Sequence, residues 1–390
     1  MTLPALINKR VIILTGEPSG DAHAAPLIRE LKKKEPGLRV SGIGGPCLSR
    51  EGVRLFYDIK ELTVMGAVEV LYQFSHIKRA FARFKLEVHQ HRPDLLILVD
   101  YPGFNLKAAA WAKTFHIPVL YYITPKVWAW KKSRLKTIRK WVDHAALIFP
   151  FELPLYKRSG IPATFVGNPL LDQFSVSRIA SQSVLPRTKH GTGSKTADDF
   201  VIGLLPGSRK NEIHSLLETM LAASCLIKKQ CQTVRFVVSA AESADLSYIR
   251  GMIDTYEKQI PVSIKKGSVS NIFSQADLLI AASGTVTLEA AIHGIPTIII
   301  YKVSPLTFFL GKRFVRLDYV GLPNIIAKKE VMPELLQDKA NPVQISDRAI
   351  EMMQPANLHQ SRKELRFVKH MLGTPGAARR TAQIAMNLLN

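Results

Sequence analysis

The sequence predicts an α/β protein made of two successive doubly wound parallel units. Short apolar runs recur along the chain and alternate with stretches of helical spacing, which is typical of buried parallel strands joined by crossover helices. This pattern stops in a segment rich in Ser, Thr, Lys and Gly at 175–199 and then restarts. A chain of 390 residues is also too long for one ordinary domain. We therefore expect an N-terminal domain over 1–174, a linker over 175–199 and a second domain over 200–342.

The first unit opens with a strand at Val11 to Thr15, the loop Gly16 to Asp21 and then a helix. The run Leu95 to Val99 is apolar throughout, as expected for a central strand buried on both faces. The other strands of this unit are predicted at Val40 to Ile43, Pro118 to Ile123 and Ala145 to Phe149.

The second unit repeats the arrangement, and a helix is predicted at Glu212 to Ile227. Its strands are predicted at Phe200 to Leu205, Val234 to Val238, Val262 to Ile264, Leu278 to Ala282 and Thr297 to Ile300. The segment 343–390 has helical spacing, and we expect its helices to pack back on the first domain. Open parallel sheets bind ligands outside the carboxyl ends of their strands, so the active site is expected in the cleft between the two units.

Composition narrows the classes of protein that the chain can belong to. A formal net charge of +22 indicates an anionic partner: a phosphorylated substrate, an anionic lipid surface or nucleic acid. The sequence has no apolar run long enough to span a bilayer, and no secretory signal segment is recognisable at its start, so we expect a cytoplasmic protein. The three cysteines have no metal-ligand spacing, and we expect them to be reduced.

Two strand-to-helix turns in the second unit are suited to binding an anion. Ser283-Gly284-Thr285 joins an apolar strand to a helix, where unpaired N–H groups would face an anion, and Glu289 follows one turn later, in reach of a sugar hydroxyl. Leu205 to Arg209 has the same form: Gly207 permits close approach, Ser208 caps the helix and Arg209 supplies donors to a diphosphate. The alternatives are an ordinary buried crossover and a solvated arginine.

Acidic residues follow two strands of the first unit. Asp100 ends the apolar run Leu95 to Val99, where a partly dry setting would raise its pKa and suit a general base. Glu17 follows the first strand and is expected to share a cleft with Asp100. Either carboxylate could instead serve only to cap a turn or a helix. No metal-ligand pattern is present, so neither a metal nor another cofactor is expected.

Two stretches indicate contact with a membrane surface. The apolar segment Leu62 to Phe74 is followed by a run of basic residues, and 126–141 places tryptophans among clustered cations. Both patterns also fit ordinary core helices with a solvated basic face, and the second also fits RNA.

The following segments, in this order, resemble the lipid-A-disaccharide synthase family: Gly16 to Asp21, Val64 to Gly66, Asp100 to Asn105, Pro125 to Trp130, Leu205 to Arg209, Ser283 to Thr285 with Glu289, and Asp318 to Asn324. The resemblance covers nearly the whole chain except the linker and the end. It implies two Rossmann-like domains facing across a cleft, the GT-B arrangement. It also implies an inverting, metal-independent glycosyltransferase of lipid A biosynthesis in Gram-negative-type bacteria, peripheral on the cytoplasmic face of the inner membrane. Such an enzyme joins UDP-2,3-diacylglucosamine to 2,3-diacylglucosamine 1-phosphate through a β-1,6 bond and releases UDP.

The resemblance also implies roles for individual residues. Asp100 or Glu17 would be the general base for the acceptor 6-hydroxyl. The UDP donor would be bound by Gly207, Ser208, Arg209, Ser283, Gly284, Thr285, Glu289 and Asn324. Contacts with the acceptor or the membrane would come from Ser19, Gly20, Asp21, Val64, Met65, Val68 and Trp128. Some family members have an acidic residue where this chain has Gly103, which increases the weight on Asp100.

Three alternatives stay open. A soluble UDP-N-acetylglucosamine transferase or epimerase shares the fold, and the apolar segment with its basic flank argues against it. A basic RNA-binding protein with a degenerate site fits the charge but no motif. The C-terminal helices could also exchange between two chains, which leaves a homodimer open.

Overall fold

The computed structural model describes residues 9–62, 69–174, 199–242, 244–303 and 318–390, and for residues 69–74 the backbone only. The predicted linker therefore lies outside the described residues, apart from Asp199. The chain divides into two compact units, one within Met1–Ile179 and Leu372–Asn390 and the other within Ala180–Met371.

The first unit contains a seven-stranded parallel sheet in the order β3-β2-β1-β4-β5-β6-β7. Its strands are β1 Arg10–Leu14, β2 Arg39–Gly44, β3 Arg54–Asp58, β4 Leu95–Val99, β5 Val119–Tyr122, β6 His144–Leu147 and β7 Ala163–Phe165. Its helices are α1 Pro18–Lys34, α2 Pro46–Arg50, α3 Glu69–His91, α4 Pro102–Lys113, α5 Arg134–Trp141 and α6 Leu153–Arg158, with 3-10 turns at Ile59–Leu62 and Pro150–Glu152.

The second unit contains a six-stranded parallel sheet in the order β10-β9-β8-β11-β12-β13. Its strands are β8 Phe200–Leu205, β9 Val234–Ala240, β10 Val262–Lys266, β11 Leu278–Ala282, β12 Thr297–Tyr301 and β13 Glu334–Leu336. Its helices are α7 Lys210–Gln230, α8 Leu246–Asp254, α9 Ser270–Phe273, α10 Thr285–His293, α11 Leu322–Ala327, α12 Pro342–Met353 and α13 Pro355–Met371, with a 3-10 turn at Gln337–Lys339.

The central strands are buried on both faces because helices cover both sides of each sheet. In β1, Ile12 and Leu14 pack in the cluster on one face, and Val11 and Ile13 pack in the cluster on the other face. This alternation follows the two-residue period of a strand. The prediction of two successive parallel α/β units is confirmed.

The C-terminal helices divide between the units. We expected all of 343–390 to pack on the first domain. However, α12 packs against α7, and α13 packs against α10 and α11, all within the second unit. Only the last helix, α14 (Ala377–Leu389), packs on the first unit, against α1. Asp172 fixes the start of α14 by accepting hydrogen bonds from the backbone N–H groups of Gly376 and Ala378. The expectation that the C-terminal helices pack on the first domain is therefore corrected for α12 and α13, which pack within the second unit.

Candidate active site

The predicted site residues follow the strands at which each sheet reverses its order. In the first unit β1 and β4 are neighbours, and Glu17 and Asp100 follow them; in the second unit β8 and β11 are neighbours, and Arg209 and Thr285 follow them. In open parallel sheets the crevice outside the carboxyl ends at such a switch point is where ligands bind. Each unit therefore carries some of the predicted residues at its own switch point.

The backbone of Asp100 is fixed by several hydrogen bonds. Its N–H donates to the carbonyl oxygens of Tyr122 and Ile123 at 3.3 and 3.2 Å. Its carbonyl oxygen accepts from the Tyr121 hydroxyl at 2.8 Å and from Asn105 Nδ2 at 2.6 Å. Asp100 and Tyr101 both have left-handed φ angles, +48° and +47°. For residues other than glycine such a conformation costs about 1–3 kcal/mol each, and it persists where surrounding contacts fix it, as they do here.

The carboxyl group of Asp100 is placed to exchange a proton. Burial raises its pKa, and the negative charge of Glu17 raises it further, while the Tyr101 N–H and the charge of Lys126 act in the opposite direction. Glu17 itself is exposed. The charge of Glu17 therefore acts on Asp100, and of the two Asp100 is the one in a partly dry environment. That the two carboxylates share a cleft stays a prediction.

The loop after β1 is shaped around the ring of Tyr101. A Cβ atom on Gly16 would lie 2.0 Å from that ring, so only glycine fits at this position. Burial and the charge of Glu17 both raise the pKa of the Tyr101 hydroxyl. The Tyr101 ring therefore packs directly against Gly16, the residue that precedes Glu17.

The next residues, at the start of α1, have different roles. Ser19 is exposed and available to a ligand, whereas Gly20 is buried. Asp21 is also buried, and its carboxylate accepts hydrogen bonds from the backbone N–H groups of Gly45, Cys47 and Leu48 at 2.8–3.2 Å. These bonds fix the start of α2, so the expectation that Asp21 contacts the acceptor is corrected: its oxygens are used by the fold.

The tryptophans of 126–141 also differ from the expectation. Trp128 is half-buried, and its indole N–H donates to Glu152 Oε1 at 3.1 Å. Trp130 is the exposed one, with 45% of its surface accessible. The ammonium of Lys131 and the guanidinium of Arg134 lie 4.5 and 5.2 Å from its ring centre. Val64, Met65 and Val68 lie outside the described residues.

In the second unit the turn after β8 depends on Gly207. Its φ is +107°, and a Cβ atom there would lie 2.3 Å from Glu212 Oε2. Helix α7 begins after Arg209, which occupies the N-cap position, so Ser208 does not cap the helix as expected. The Arg209 guanidinium lies 3.4 Å from Glu212, and 74% of its side chain is exposed. Ser208 and Arg209 are both open to solvent.

The turn after β11 leaves a helix start open. Gly284 is the N-cap of α10, which begins at Thr285; both residues are exposed, and Ser283 is half-buried. No side chain of the described residues caps this end, so its first N–H groups and the positive end of the helix dipole are open to an anion.

Glu289 lies one turn into α10. It is half-buried, and burial raises its pKa. Among the described residues we find no hydrogen bond or ion pair to its carboxylate, which keeps partial access to solvent. Glu289 therefore has acceptor capacity for hydroxyl groups beside the open helix start.

Asn324 is different, because the fold uses all of its polar atoms. It is fully buried; its Nδ2 donates to Met332 O at 2.7 Å and Glu334 Oε1 at 2.8 Å, and its Oδ1 accepts from the N–H groups of Val331 and Met332. The expectation that Asn324 reaches the donor is corrected: this side chain joins α11 to β13.

Sequence reasoning did not single out two residues that shape the first switch point. Asn105 Nδ2 donates to the carbonyl oxygens of Val99 and Asp100, and Glu152 binds Trp128. The sequence could have indicated Asn105, because it stands among apolar residues at the start of α4 and a buried amide needs hydrogen-bond partners. Glu152 follows a short strand without any distinctive spacing. Among the described residues no group of His, Cys, Asp and Glu side chains is close enough together to hold a metal ion.

Comparisons with known proteins support the fold. The chain resembles solved structures along nearly its whole length. UDP-GlcNAc 2-epimerase from Neisseria meningitidis, solved bound to UDP-GlcNAc, has a TM-score of 0.61 at 13% identity, covering 97% of this chain and 99% of that one. MurG from Acinetobacter baumannii has a TM-score of 0.57 at 13% identity, with the same coverage. At such identities the likeness shows the fold alone.

Sequence relatives identify the family. A family model described as lipid-A-disaccharide synthetase matches residues 11–386. Lipid-A-disaccharide synthase from Geobacter sulfurreducens is 39% identical over 383 residues, 98% of both chains. The enzyme of the same name from Coxiella burnetii is 39% identical over 387 residues, 98% of this chain and 99% of that one. The relative from Trichlorobacter lovleyi is 38% identical over 382 residues, 98% of both chains. The chain belongs to the lipid-A-disaccharide synthetase family.

Proposed function

We propose that the protein transfers the sugar of UDP-2,3-diacylglucosamine to the 6-hydroxyl of 2,3-diacylglucosamine 1-phosphate, giving a β-1,6-linked lipid A disaccharide 1-phosphate and UDP. The observation that carries the proposal is the environment of Asp100. Its backbone is fixed, its carboxyl is partly buried, and its pKa is raised by burial and by Glu17. A general base is most effective when its pKa lies near the working pH, so a raised carboxyl pKa suits proton transfer from a hydroxyl.

The donor is bound by the second unit in this proposal. Its diphosphate lies against the open start of α10 and the guanidinium of Arg209, where backbone N–H groups and a fork of donors stabilise the charge that develops on the leaving UDP. The ribose hydroxyls donate to Glu289, the half-buried acid without a partner among the described residues. Donors of this kind supply the charge stabilisation that a metal provides in other transferases.

The acceptor is bound by the first unit. Asp100 accepts the proton of the 6-hydroxyl while that oxygen forms a bond to the anomeric carbon of the donor. The bond from that carbon to the diphosphate oxygen breaks on the opposite face, its electron pair leaves with UDP, and the configuration inverts. Glu17 raises the basicity of Asp100, which makes Asp100 the base and Glu17 its tuning partner.

The basic segment 126–141 supports a peripheral position on an anionic membrane surface, which is where a diacylated acceptor resides. Exposed Lys131 and half-buried Arg134 lie over the ring of the exposed Trp130, a combination suited to the lipid headgroup region. Among the described residues, none of the helices is both long and apolar enough to cross a membrane. Salt-sensitive sedimentation with vesicles containing anionic lipid is the measurement that tests this position; equal sedimentation with neutral vesicles contradicts it.

Turnover of the two diacylated sugars in detergent micelles, with excess EDTA, tests the reaction. We expect stoichiometric release of UDP and disaccharide without added metal. If turnover requires a divalent cation, the two helix starts do not by themselves stabilise the charge on the leaving UDP, and that part of the proposal is wrong. Epimerisation or transfer of UDP-N-acetylglucosamine, with no disaccharide, would assign the protein to the soluble relatives of the same fold.

A further inference from the structure

Glu152 is a buried acid that the proposed reaction does not use. It ends the 3-10 turn after β6, and 1% of its surface is exposed. Its Oε1 accepts from the Trp128 indole N–H at 3.1 Å, and its Oε2 accepts from the Phe149 backbone N–H at 3.2 Å. Both of its oxygens therefore accept hydrogen bonds from N–H groups of the protein.

Aromatic rings hold the other side of Trp128. Its ring lies edge-on to Phe151, with centres 5.1 Å apart, and edge-on to Phe149 at 6.4 Å. The two phenylalanine rings stack on each other at 5.5 Å. Trp128 is thus fixed by ring packing and by a single polar anchor, which is Glu152.

Trp128 lies two residues after Lys126 in the loop that follows β5. The carbonyl oxygen of Lys126 accepts from the N–H groups of Ala129 and Trp130, which closes the loop into one turn around Trp128. The positive charge of Lys126 acts on the carboxyl groups of both Asp100 and Glu152. Movement of Trp128 would therefore change the electrostatic environment of the proposed base.

We propose that Glu152 is a positioning residue that acts through Trp128, keeping the loop 126–130 folded so that Lys126 lies beside Asp100 and faces the phosphorylated acceptor. The inference rests on the proposed function for the role of Asp100, but the contact between Glu152 and Trp128 is independent of it. Lys126 stabilises the ionised form of Asp100 and offers the acceptor phosphate a positive charge.

The protonation of Glu152 provides a direct readout. Burial raises its pKa to about 8, against the hydrogen bonds from Phe149, Trp128 and Ile148 and the charge of Lys126. The other titratable group that faces it is the Tyr156 hydroxyl on α6, whose pKa Glu152 raises. The folded state therefore holds a proton that the unfolded state releases at lower pH, and stability falls as pH rises from about 4.5 to about 8.

The first experiment measures tryptophan fluorescence against pH in the full-length chain. Subtracting the curve of Trp128→Phe isolates Trp128 from the other tryptophans. We expect a transition near pH 8 in the difference curve, and none in the same difference measured in a Glu152→Gln background. Glu30→Gln, a half-buried acid paired with Lys33 on α1, is the matched control and should keep the transition. A transition that persists without Glu152 overturns the contact, whatever the reaction of the protein is.

The second experiment separates positioning from a merely structural role. Glu152→Gln can accept from only one of the two donors, so the loop loosens, and we expect kcat to fall about 10- to 100-fold. When Lys126 moves away, the pKa of Asp100 should rise because a positive charge that lowers it is lost. The acid limb of kcat/KM should therefore move to higher pH. Lys126→Gln should give the same shift, and the double variant should add little to either. A lower melting temperature with unchanged kcat and pH profile overturns the positioning role. Wild-type turnover in Asp100→Asn, with the fluorescence result intact, indicates instead that Asp100 is not the base, and absence of disaccharide formation by the wild type indicates that the proposed function is wrong.

Discussion

The two switch points of this protein are built in opposite ways. The first is closed: Asp100 is partly buried, its backbone is fixed by hydrogen bonds, and the ring of Tyr101 packs against Gly16. The second is open: Thr285 and Arg209 are exposed at helix starts, and among the described residues no side chain caps the start of α10. A group that moves a proton needs a fixed position and a partly dry setting, whereas a diphosphate needs N–H groups that nothing else has satisfied. The difference follows from the chemistry that each switch point is proposed to perform.

The same difference predicts how each switch point tolerates substitution. Changes at the closed point should reduce kcat, because they alter the proton acceptor itself. Changes at the open point should raise the KM for the donor, because its residues contribute separate contacts to one ligand.

The largest effect is expected from Asp100→Asn. An amide cannot accept the hydroxyl proton, and loss of a general base typically reduces the rate about 10²- to 10⁴-fold. In the wild type, burial and Glu17 raise the pKa of Asp100, so kcat/KM should fall as the pH drops through that raised value. Glu17→Gln removes one of the two causes, so the acid limb should move to lower pH. Steady-state kinetics over a pH series checks both variants, and an acid limb that does not move in Glu17→Gln contradicts the coupling.

A smaller effect is expected from Arg209→Ala. Hydrogen bonds to charged groups contribute about 1.5–3 kcal/mol, which corresponds to about a 10- to 100-fold rise in donor KM. Arg209→Lys keeps the charge but loses the fork of donors, so its KM should lie between wild type and alanine. Arg250→Ala, an exposed arginine on α8, is the matched control. If Arg209→Ala binds the donor as tightly as this control does, Arg209 has no part in the open switch point.

The fold was predictable wherever burial is complete. Leu95 to Val99, Phe200 to Leu205 and Leu278 to Ala282 are apolar throughout, and the strands β4, β8 and β11 have those same bounds. The edge strands β3, β7 and β13 were missed because each is short and mostly half-buried, and β3 and β13 also contain charged residues. A strand covered on one side only leaves a weaker pattern in the sequence.

The site was predictable to the level of the loop and less so to the level of the side chain. Sequence order places Asp21 beside Glu17, and Asn324 within a distinctive segment, but it does not reveal which backbone N–H groups lie nearby. In the structure those partners come from α2 for Asp21 and from the residues before β13 for Asn324. Partners that are distant in sequence or on another element decide whether a polar side chain serves the fold or a ligand.

Asn324→Ala sharpens this distinction. The change leaves buried backbone groups of Val331 and Met332 without partners, and we expect the free energy of unfolding to fall by about 2–4 kcal/mol. Donor KM should stay close to wild type under conditions where the variant is folded. Asn341→Ala removes a single exposed helix cap in the same unit and should cost about 1 kcal/mol. Denaturation and kinetics together decide the case, since a raised donor KM with normal stability would restore Asn324 to the donor site.

The smallest effect is expected from Gly103→Asp, which places an acid where some family members have one. A Cβ atom at Gly103 meets nothing within 4 Å, and the residue lies in the first turn of α4, so the substitution should raise the free energy of unfolding by about 1 kcal/mol. At the first switch point burial and the charge of Glu17 already raise the pKa of Asp100. A third carboxylate nearby should raise it further, so the acid limb of kcat/KM should move to slightly higher pH while kcat stays within about twofold. Gly103→Asn has the same shape without the charge and should gain stability without the pH shift. If kcat rises in the aspartate variant alone, the closed switch point uses an acid at this position for chemistry, and Asp100 shares its role.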